Sequence, residues 1–237
     1  MAAGNLAGAS PSAPIARLPL SRERVLAAAL EIADQEGLAG LSMRKLAEAL
    51  GVKAMSLYNH VANRDAIIDG LVESVVSEIA LPEIGGDWKE AMRRRALSAH
   101  QALLRHPWAA LAILSRLNTG PAMLRSIDAT LGCLVAAGFS LEQADHGWNA
   151  IDSHIYGFTL QEINFPIEAQ DYAAMAASFL PQLPADRFPH LNALSREVME
   201  RRYDGLHAFD FGLEFILDGL ECSLGPAPRA RPRSSSS

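Results

Sequence analysis

Apolar residues recur at three- and four-residue spacing along almost the whole chain, and no segment alternates apolar with polar residues. The first spacing is that of one face of a helix, whereas strict alternation would indicate a half-buried strand. Glycine and proline interrupt the pattern at short intervals, and serine or asparagine precedes several apolar runs, where its side chain can cap a helix. The sequence therefore predicts an all-α fold.

The helical pattern breaks between residues 81 and 86, where Leu81-Pro82 and Gly85-Gly86 mark a boundary between helical segments. We expect a unit of three helices over residues 20–66 and a helical bundle over residues 67–224. Residues 1–19 and 225–237 are rich in small and polar residues, so we expect a disordered leader and tail.

The formal charges are distributed unevenly along the chain. The whole chain has 21 Lys and Arg against 27 Asp and Glu, and its net charge of −6 by itself disfavours a nucleic-acid partner. Residues 17–64 hold 7 basic and 5 acidic side chains, a balance of +2, so the remaining 14 and 22 give −8. A small positive module in front of an acidic body is compatible with DNA binding by that module.

The composition favours a folded protein inside the cell. Hydrophobic residues make up 49% of the chain, which is enough to bury a sizeable core. No apolar run reaches the roughly 18–20 residues that span a bilayer, and the start lacks the pattern of a secretory signal. We therefore expect a cytoplasmic protein with no membrane partner. Cys133 and Cys222 lie in apolar helical stretches, and we expect both to be buried free thiols.

Three capped segments within about forty residues have the layout of a helix-turn-helix. Ser21, Ser42 and Asn63 stand at predicted helix starts, and Gly51 allows a tight turn before the third helix, expected over residues 53–60. Leu57 and Val61, with Val52 at the entry, would hold this helix on the core. Its other side would then be available to the major groove of DNA.

The run LSMRKLAEALGVKAMSLYNHVANRDAII, residues 41–68, resembles the DNA-binding segment of the TetR family. The pairs Gly51-Val52, Leu57-Tyr58, His60-Val61 and Asn63-Arg64 carry the resemblance. It implies contacts to bases or phosphates from the second helix, to base edges from the start of the third, and to phosphates from the residues that follow. The implied DNA-binding residues are Ser42, Arg44, Lys53, Ala54, Met55, Ser56, Tyr58, Asn59, His60 and Arg64.

Residues 138–162 and 211–221 resemble two stretches of the tetracycline repressors proper. Together the two resemblances imply a helix-turn-helix DNA-binding domain over residues 20–66, here called the reader, and a ligand-binding and dimerisation domain over residues 67–224, here called the sensor. The resemblance implies that the helices over residues 140–165 and 208–224 form a four-helix dimer interface with their copies. The last helix is apolar on two sides, which is typical of a helix buried between partners. Its glycines would allow close helix approach, either between copies or within one chain. The expected interface residues are Phe209, Gly212, Leu213, Ile216, Gly219 and Leu220.

A small-molecule pocket needs apolar walls with a few polar groups. Most of the aromatic candidates in the sensor have the spacing of core residues, so the candidates are a pool and not a defined site. The expected pool of ligand-binding residues is Trp88, His100, Trp108, Trp148, His154, Tyr156, Phe158 and Glu162.

The resemblance also bears on metal. Tetracycline repressors hold a metal–drug complex with histidines, approached by a glutamate of the partner chain. Glu162 falls at that glutamate's position, but residues 77–80 and 111–117 contain no matching histidine. We therefore expect no metal or other cofactor, and a largely apolar ligand.

No catalytic motif stands out. Asp152-Ser153-His154 are sequence neighbours that point in different directions on a helix, so they cannot form a triad, and we expect no enzyme. The predicted function is a homodimeric repressor released from a palindromic operator by a small molecule. Two alternatives remain open, namely a TetR-type activator and a helical interaction or ligand-binding module that does not bind DNA.

Overall fold

The computed structural model describes residues 19–166 and 171–224, and within these ranges it contains helices and no strands. The all-α prediction is therefore confirmed. Residues 1–18 of the expected leader, and the whole expected tail, lie outside the described residues. No helix in the described ranges is long and apolar enough to cross a membrane. The helices are α1 Arg22–Gly40, α2 Met43–Leu50, α3 Ala54–Leu57, α4 Arg64–Ser77, α5 Trp88–Arg105, α6 Ala109–Leu114, α7 Pro121–Ala136, α8 Leu141–Asn164, α9 Tyr172–Phe179, α10 Pro189–Met199 and α11 Phe209–Ser223.

The predicted caps are present at the starts of α1, α2 and α4. The Ser21 hydroxyl accepts the amide of Arg24 at 3.3 Å, and Asn63 Oδ1 accepts the amide of Ala66 at 2.8 Å. Ser42 caps α2 in the same way. These bonds satisfy amides that have no partner inside the helix. Gly51 ends α2 with φ 65°, in the left-handed region that favours glycine.

The third helix is shorter than its predicted span of residues 53–60. It covers only Ala54–Leu57, and the chain then turns, because the amides of His60 and Val61 both donate to the carbonyl of Leu57. Leu57 and Val61 are nevertheless buried, at 0% and 5% exposure, as the sequence predicts. They pack into one core with residues of α1, α2 and α4.

Helix α4 contributes to the cores of both halves of the molecule. Its apolar side chains are almost completely buried, and the helix packs against α1 in the reader and against α5, α6 and α7 in the sensor. In the sensor, α8 packs against α5, α7 and α11. Helices α9 and α10 pack mainly against each other. Helix α4 is therefore shared by the reader and the sensor, and a displacement of the sensor helices that contact it also acts on the reader.

A polar cluster joins the reader to the sensor behind α4. Asp34 Oδ1 of α1 accepts the indole N–H of Trp108 at 2.8 Å and lies 2.7 Å from Nδ1 of His106. The other ring nitrogen of His106 lies 3.1 Å from Glu78, which also accepts a hydrogen bond from Arg105 at 2.6 Å. Burial alone would raise the pKa of Glu78, but the bonds from Arg105 and His106 outweigh it and lower that pKa.

The two cysteines differ in their surroundings. Cys133 is buried, its thiol donates to the carbonyl of Glu83 at 3.4 Å, and burial raises its pKa. Cys222 is exposed near the end of α11, so the expectation that both thiols are buried is wrong for this residue. Both cysteines are free, as predicted.

Truncating Leu57 tests whether this side chain seats α3. We expect Leu57→Ala to lower the free energy of unfolding by about 2–5 kcal/mol, the usual cost of such a cavity. Met55→Ala is the matched control, because Met55 lies in the same helix and is 75% exposed; it should change stability by less than about 0.5 kcal/mol. Urea denaturation at one fixed protein concentration measures both values. Equal losses in the two variants would contradict the packing described.

Candidate DNA-reading surface and effector pocket

The side of α3 opposite the core is exposed. Met55 and Tyr58 are 75% and 46% exposed, and Lys53 and Asn59 are exposed as well. Ala54, Ser56 and His60 are partly exposed. An arrangement of small, polar and basic groups on the outer side of a short docked helix suits insertion into the major groove.

The other predicted DNA-binding residues are partly used for internal bonds. Arg44 is exposed but its Nε lies 3.1 Å from Glu48 one turn later, in a surface ion pair that is worth little and can be exchanged for a phosphate. The Ser42 hydroxyl caps α2. Arg64 donates from Nε to the carbonyl of Leu41 at 2.8 Å, and from a terminal nitrogen to that of Leu38. Arg64 therefore holds the connection between α1 and α2 against the start of α4.

A cavity of about 490 Å³ opens between α6, α7 and α8. Its walls are largely apolar, and its polar groups come mostly from one side of α8. This volume lies within the range of about 300–1,000 Å³ that is usual for small-molecule sites. The lining residues are Ile113, Leu114, Asn118, Met123, Ile127, Trp148, Asn149, Asp152, Ser153, Tyr156, Gly157 and Leu160.

A buried ion pair supports the polar side of this pocket. Arg95 of α5 is only 4% exposed and donates to Asp152 Oδ1 at 2.7 Å. The other carboxylate oxygen of Asp152 accepts the indole N–H of Trp148 at 2.8 Å. Arg95 Nε is buried and has no hydrogen-bond partner among the described residues. Asp152 is thus held in one orientation with its charge balanced.

The hydroxyl of Tyr156 is the clearest donor in the pocket. Burial and the neighbouring carboxylate of Asp152 raise its pKa well above the ordinary value, so the phenol stays neutral. No hydrogen bond joins this hydroxyl to another described residue. A ligand with an acceptor atom can therefore bind it without displacing an internal bond.

Only two members of the predicted ligand-binding pool, Trp148 and Tyr156, line the cavity. Trp108 is not a lining residue, because its indole is bonded to Asp34 at the junction with the reader. Trp88 packs edge-on against Phe139 with ring centres 5.0 Å apart and is part of the core. These two aromatic residues are part of the packed structure, which is the alternative to ligand binding that the sequence left open.

The remaining members of the pool, His100, His154, Phe158 and Glu162, lie in a cluster away from the lining of the pocket. His100 and His154 stack on Phe209 with ring centres 4.3 and 4.9 Å apart, and Phe158 meets Phe209 edge-on. His100 Nδ1 lies 2.8 Å from Thr159 Oγ1, and its Nε2 lies 3.2 Å from Glu162. Burial lowers the pKa of His100, so burial favours its neutral form. The cluster fixes α5, α8 and α11 against each other.

Several pocket residues could not be predicted from the sequence. Ile113, Met123, Ile127 and Leu160 have the spacing of ordinary core residues, and only the packing of three helices leaves space beside them. Arg95 lies in a run of three arginines, Arg93 to Arg95, that reads as a solvated surface. Its position on the apolar face of α5, between Met92 and Ala96, is the one signal of its burial.

The outer face of α11 differs from the predicted dimer interface. Phe209 and Leu213 are 7% and 0% exposed and pack inside their own protomer. Gly212 also faces inward, because a Cβ there would lie 2.5 Å from the ring of His154. Ile216 and Leu220 are partly buried against the protomer core. Among the predicted residues, only Gly219 is fully open, and it lies on the same side as the exposed Phe211 and Phe215.

No histidine is among the lining residues that the structure describes, although histidines are the residues that would hold a magnesium–drug complex. No group of three His, Cys, Asp or Glu side chains in the described part of the chain could hold a metal ion. Asp152 is the only carboxylate among the lining residues, and its two oxygens are bonded to Arg95 and Trp148.

A short reading helix on a three-helix core, joined by one shared helix to a bundle with a cavity, defines a DNA-binding regulator with a sensor domain. The family comparison agrees. Residues 25–71 match the model described as "Bacterial regulatory proteins, tetR family", and residues 81–224 match "Tetracyclin repressor-like, C-terminal domain". The chain belongs to the TetR family.

Similar proteins match over most of this chain. The tetracycline repressor protein class D of Escherichia coli is 33% identical over 210 residues, which cover 86% of this chain and 91% of that protein. The HTH-type transcriptional repressor DrrR1 of Streptomyces coeruleorubidus is 31% identical over 85% of this chain and 77% of that protein. The structure of the TetR family protein ActR of Streptomyces coelicolor in complex with actinorhodin is 32% identical, with a TM-score of 0.74, and covers 88% of this chain and 100% of that chain.

Removing Arg95 tests the electrostatic account of the pocket. Arg95→Ala leaves the carboxylate of Asp152 without its counter-charge, so we expect the free energy of unfolding to fall by about 3–5 kcal/mol. Arg94→Ala, at the exposed neighbouring position, removes the same charge and should cost less than about 0.5 kcal/mol. Equal values for the two variants in urea denaturation would show that the ion pair does not hold Asp152 in place.

Proposed function

We propose that this chain is a cytoplasmic, homodimeric repressor that binds a palindromic operator and is released by a small, largely apolar molecule. The observation that carries the proposal is the placement of α3, whose buried residue Leu57 leaves Lys53, Met55 and Tyr58 on the outside. The division into a reader over residues 20–66 and a sensor over residues 67–224 is part of the proposal. Membership of a family of regulatory proteins argues against a helical module that does not bind DNA.

The exposed residues suggest how the reader meets DNA. Lys53 and Tyr58 suit phosphate oxygens, which are the most frequent contacts in such interfaces. Ala54 and Met55 offer no hydrogen-bonding pair, so base recognition would depend on Arg44 and on apolar contact with thymine methyl groups. Arg44 is available because its ion pair with Glu48 is exposed.

The dimer would form through α8 and the outer side of α11. Phe211 and Phe215 are 68% and 66% exposed, and their rings meet edge-on with centres 4.9 Å apart. Two large aromatic side chains side by side on the surface are typical of an interaction site. Arg93 anchors α11 from behind, with Nε 2.6 Å from Glu214, so this face is held outward. Some of the interface residues predicted from the sequence face inward. These residues would contribute to the dimer by holding the outer face of α11 in position.

The effector would bind in the cavity between α6, α7 and α8. The similar protein ActR has been solved with actinorhodin. The apolar walls, the aromatic ring of Trp148 and the neutral hydroxyl of Tyr156 suit a flat, uncharged molecule with a few acceptor atoms.

Two substitutions test DNA binding on a duplex that carries the region upstream of the chain's own coding sequence. Tyr58→Phe removes a hydrogen bond to a charged phosphate, worth about 1.5–3 kcal/mol, so we expect roughly 10- to 150-fold weaker binding. Lys53→Ala should reduce the slope of log affinity against log salt by about 1. Fluorescence anisotropy measures both quantities, and Arg94→Ala in the sensor is the control for loss of a cation. Unchanged affinity and slope would contradict the assigned reader.

Thermal unfolding with actinorhodin, and with tetracycline in the presence and absence of magnesium, tests the effector site. A ligand at a hundred times its Kd should stabilise the protein by about 2.7 kcal/mol. Ile127→Trp places a larger side chain in the pocket and should reduce the shift, whereas Arg94→Ala should retain it. We expect the shift in unfolding temperature to be the same in the presence and absence of magnesium. Tight uptake of tetracycline only with magnesium would contradict the account of this pocket.

A further inference from the structure

Met55 is the most exposed large apolar side chain of the reader. Among the described residues 19–66, only Met55 and Tyr58 are large apolar or aromatic side chains with high exposure, at 75% and 46%. The hydroxyl of Tyr58 suits a phosphate, whereas the thioether of Met55 is at most a weak acceptor. Single apolar residues are common on protein surfaces, so exposure alone assigns no role to Met55. Its position in α3 distinguishes it.

Helix geometry places Met55 opposite the core. Successive residues of a helix are rotated by about 100°, so two residues two positions apart point in nearly opposite directions. Leu57 is fully buried and Met55 stands two positions before it, so the Met55 side chain points away from the core. Ala54 is only partly exposed and packs against the core. Met55 is therefore the apolar side chain of α3 that faces the space DNA would occupy.

The surroundings of Met55 suit the major groove of DNA. Lys53 and Asn59 are exposed beside it, and Arg44 of α2 is exposed as well. Basic groups around one apolar side chain fit a partner that is negatively charged and has isolated apolar groups. The major groove meets both conditions, because phosphates border it and the C5 methyl of thymine is the apolar group on its floor.

The hydrogen-bonding capacity at the start of α3 is low. Ala54 and Met55 have no group that could form the paired hydrogen bonds by which a side chain identifies a base. The hydroxyl of Ser56 can donate or accept, so it discriminates poorly between bases. A base that faces Met55 would therefore be distinguished by its methyl group and not by its pattern of donors and acceptors.

We propose that Met55 is a specificity-determining residue that recognises the C5 methyl group of a pyrimidine in each half-site. The inference rests on the proposed function and specifies the chemistry of one base that the reader prefers. Thymine and 5-methylcytosine have this methyl group, whereas uracil and cytosine lack it. The contact therefore also makes the reader sensitive to methylation of cytosine at this position. The flexible, polarisable side chain of methionine adapts readily to such a contact.

Replacing thymine by deoxyuridine tests the inference, because the exchange removes only the methyl group. The full-length dimer first selects a duplex from random-sequence DNA, and each thymine is then replaced in turn, at the equivalent positions of both half-sites. Burial of one methyl group is worth about fourfold in affinity, so we expect about 15-fold weaker binding when both methyl groups that face Met55 are lost. Fluorescence anisotropy at one fixed salt concentration measures the dissociation constants.

Substitutions in α3 assign the effect to Met55. Met55→Ala should bind thymine and deoxyuridine duplexes equally well at that position, and it should fold normally because the side chain is exposed. Met55→Leu keeps an apolar side chain and should keep a difference between the two duplexes. Ser56→Ala, at the next position, is the matched control and should discriminate as the wild type does, whatever its overall affinity.

A second comparison places the methyl group on a different base. The thymine that faces Met55 is replaced by cytosine in both half-sites, with guanine opposite, and this cytosine is then methylated at C5. Methylation restores the methyl group and leaves the hydrogen-bonding groups unchanged. We expect it to strengthen binding of the wild type by about 15-fold, for the same two methyl groups, and to leave binding of Met55→Ala unchanged.

Equal affinity of the wild type for thymine and deoxyuridine at every position of the half-sites would overturn the inference. A difference that Met55→Ala retains would also overturn it, because another residue would then contact the methyl group. If Met55 were only a packing residue, Met55→Ala would weaken binding to all duplexes by one common factor, and the thymine-to-deoxyuridine ratio would not change. Failure to select any duplex would instead contradict the proposed function itself.

Discussion

The burial of Leu57 and Val61 is the constraint on which the rest of the structure depends. A helix of four residues cannot be stable alone, because nucleation costs more than so few hydrogen bonds return. It persists here because these two side chains are buried in the core that α1, α2 and α4 also share. Since the inner side is fixed, the outer side is fixed too, and it presents Lys53, Met55 and Tyr58 in one arrangement.

Helix α4 links this arrangement to the sensor. Its apolar side chains are buried in both halves, while its polar side chains bond to the reader at one end and to the pocket wall along one face. The junction formed by Asp34, His106 and Glu78 adds a second connection from α1 to the sensor. Within residues 19–166, which the structure describes without a gap, the two halves share α4 and are not joined by a separate linker, so contacts near the pocket can bear on the reader directly.

Local signals made the starts of several helices predictable. The cap formed by Ser42 and the reciprocal bonds between Ser140 and Gln143 join residues that are three positions apart. Such contacts can be predicted from the sequence, because both partners lie in one short segment. The pocket depends on how three helices pack, which no local pattern specifies. Trp108 is a candidate pocket residue by its aromatic ring, but its indole bonds to Asp34, a residue 74 positions away.

Helix α11 shows the same limit of prediction from local sequence patterns. Periodicity identified α11 as apolar on two sides, but it could not say which side faces its own protomer. The structure turns Phe209 and Leu213 inward and leaves Phe211 and Phe215 outside. The decisive contacts are long-range ones, such as that between Gly212 and His154, and only three-dimensional packing reveals them.

Footprinting of the full-length protein on a selected DNA duplex tests the central claim most directly. Two readers held on one dimer should protect two symmetric half-sites whose centres lie about one helical turn, roughly 10 base pairs, apart in neighbouring major grooves. Protection of a single asymmetric site, or no protection at all at low salt, would contradict both the outward placement of α3 and its duplication by a twofold axis.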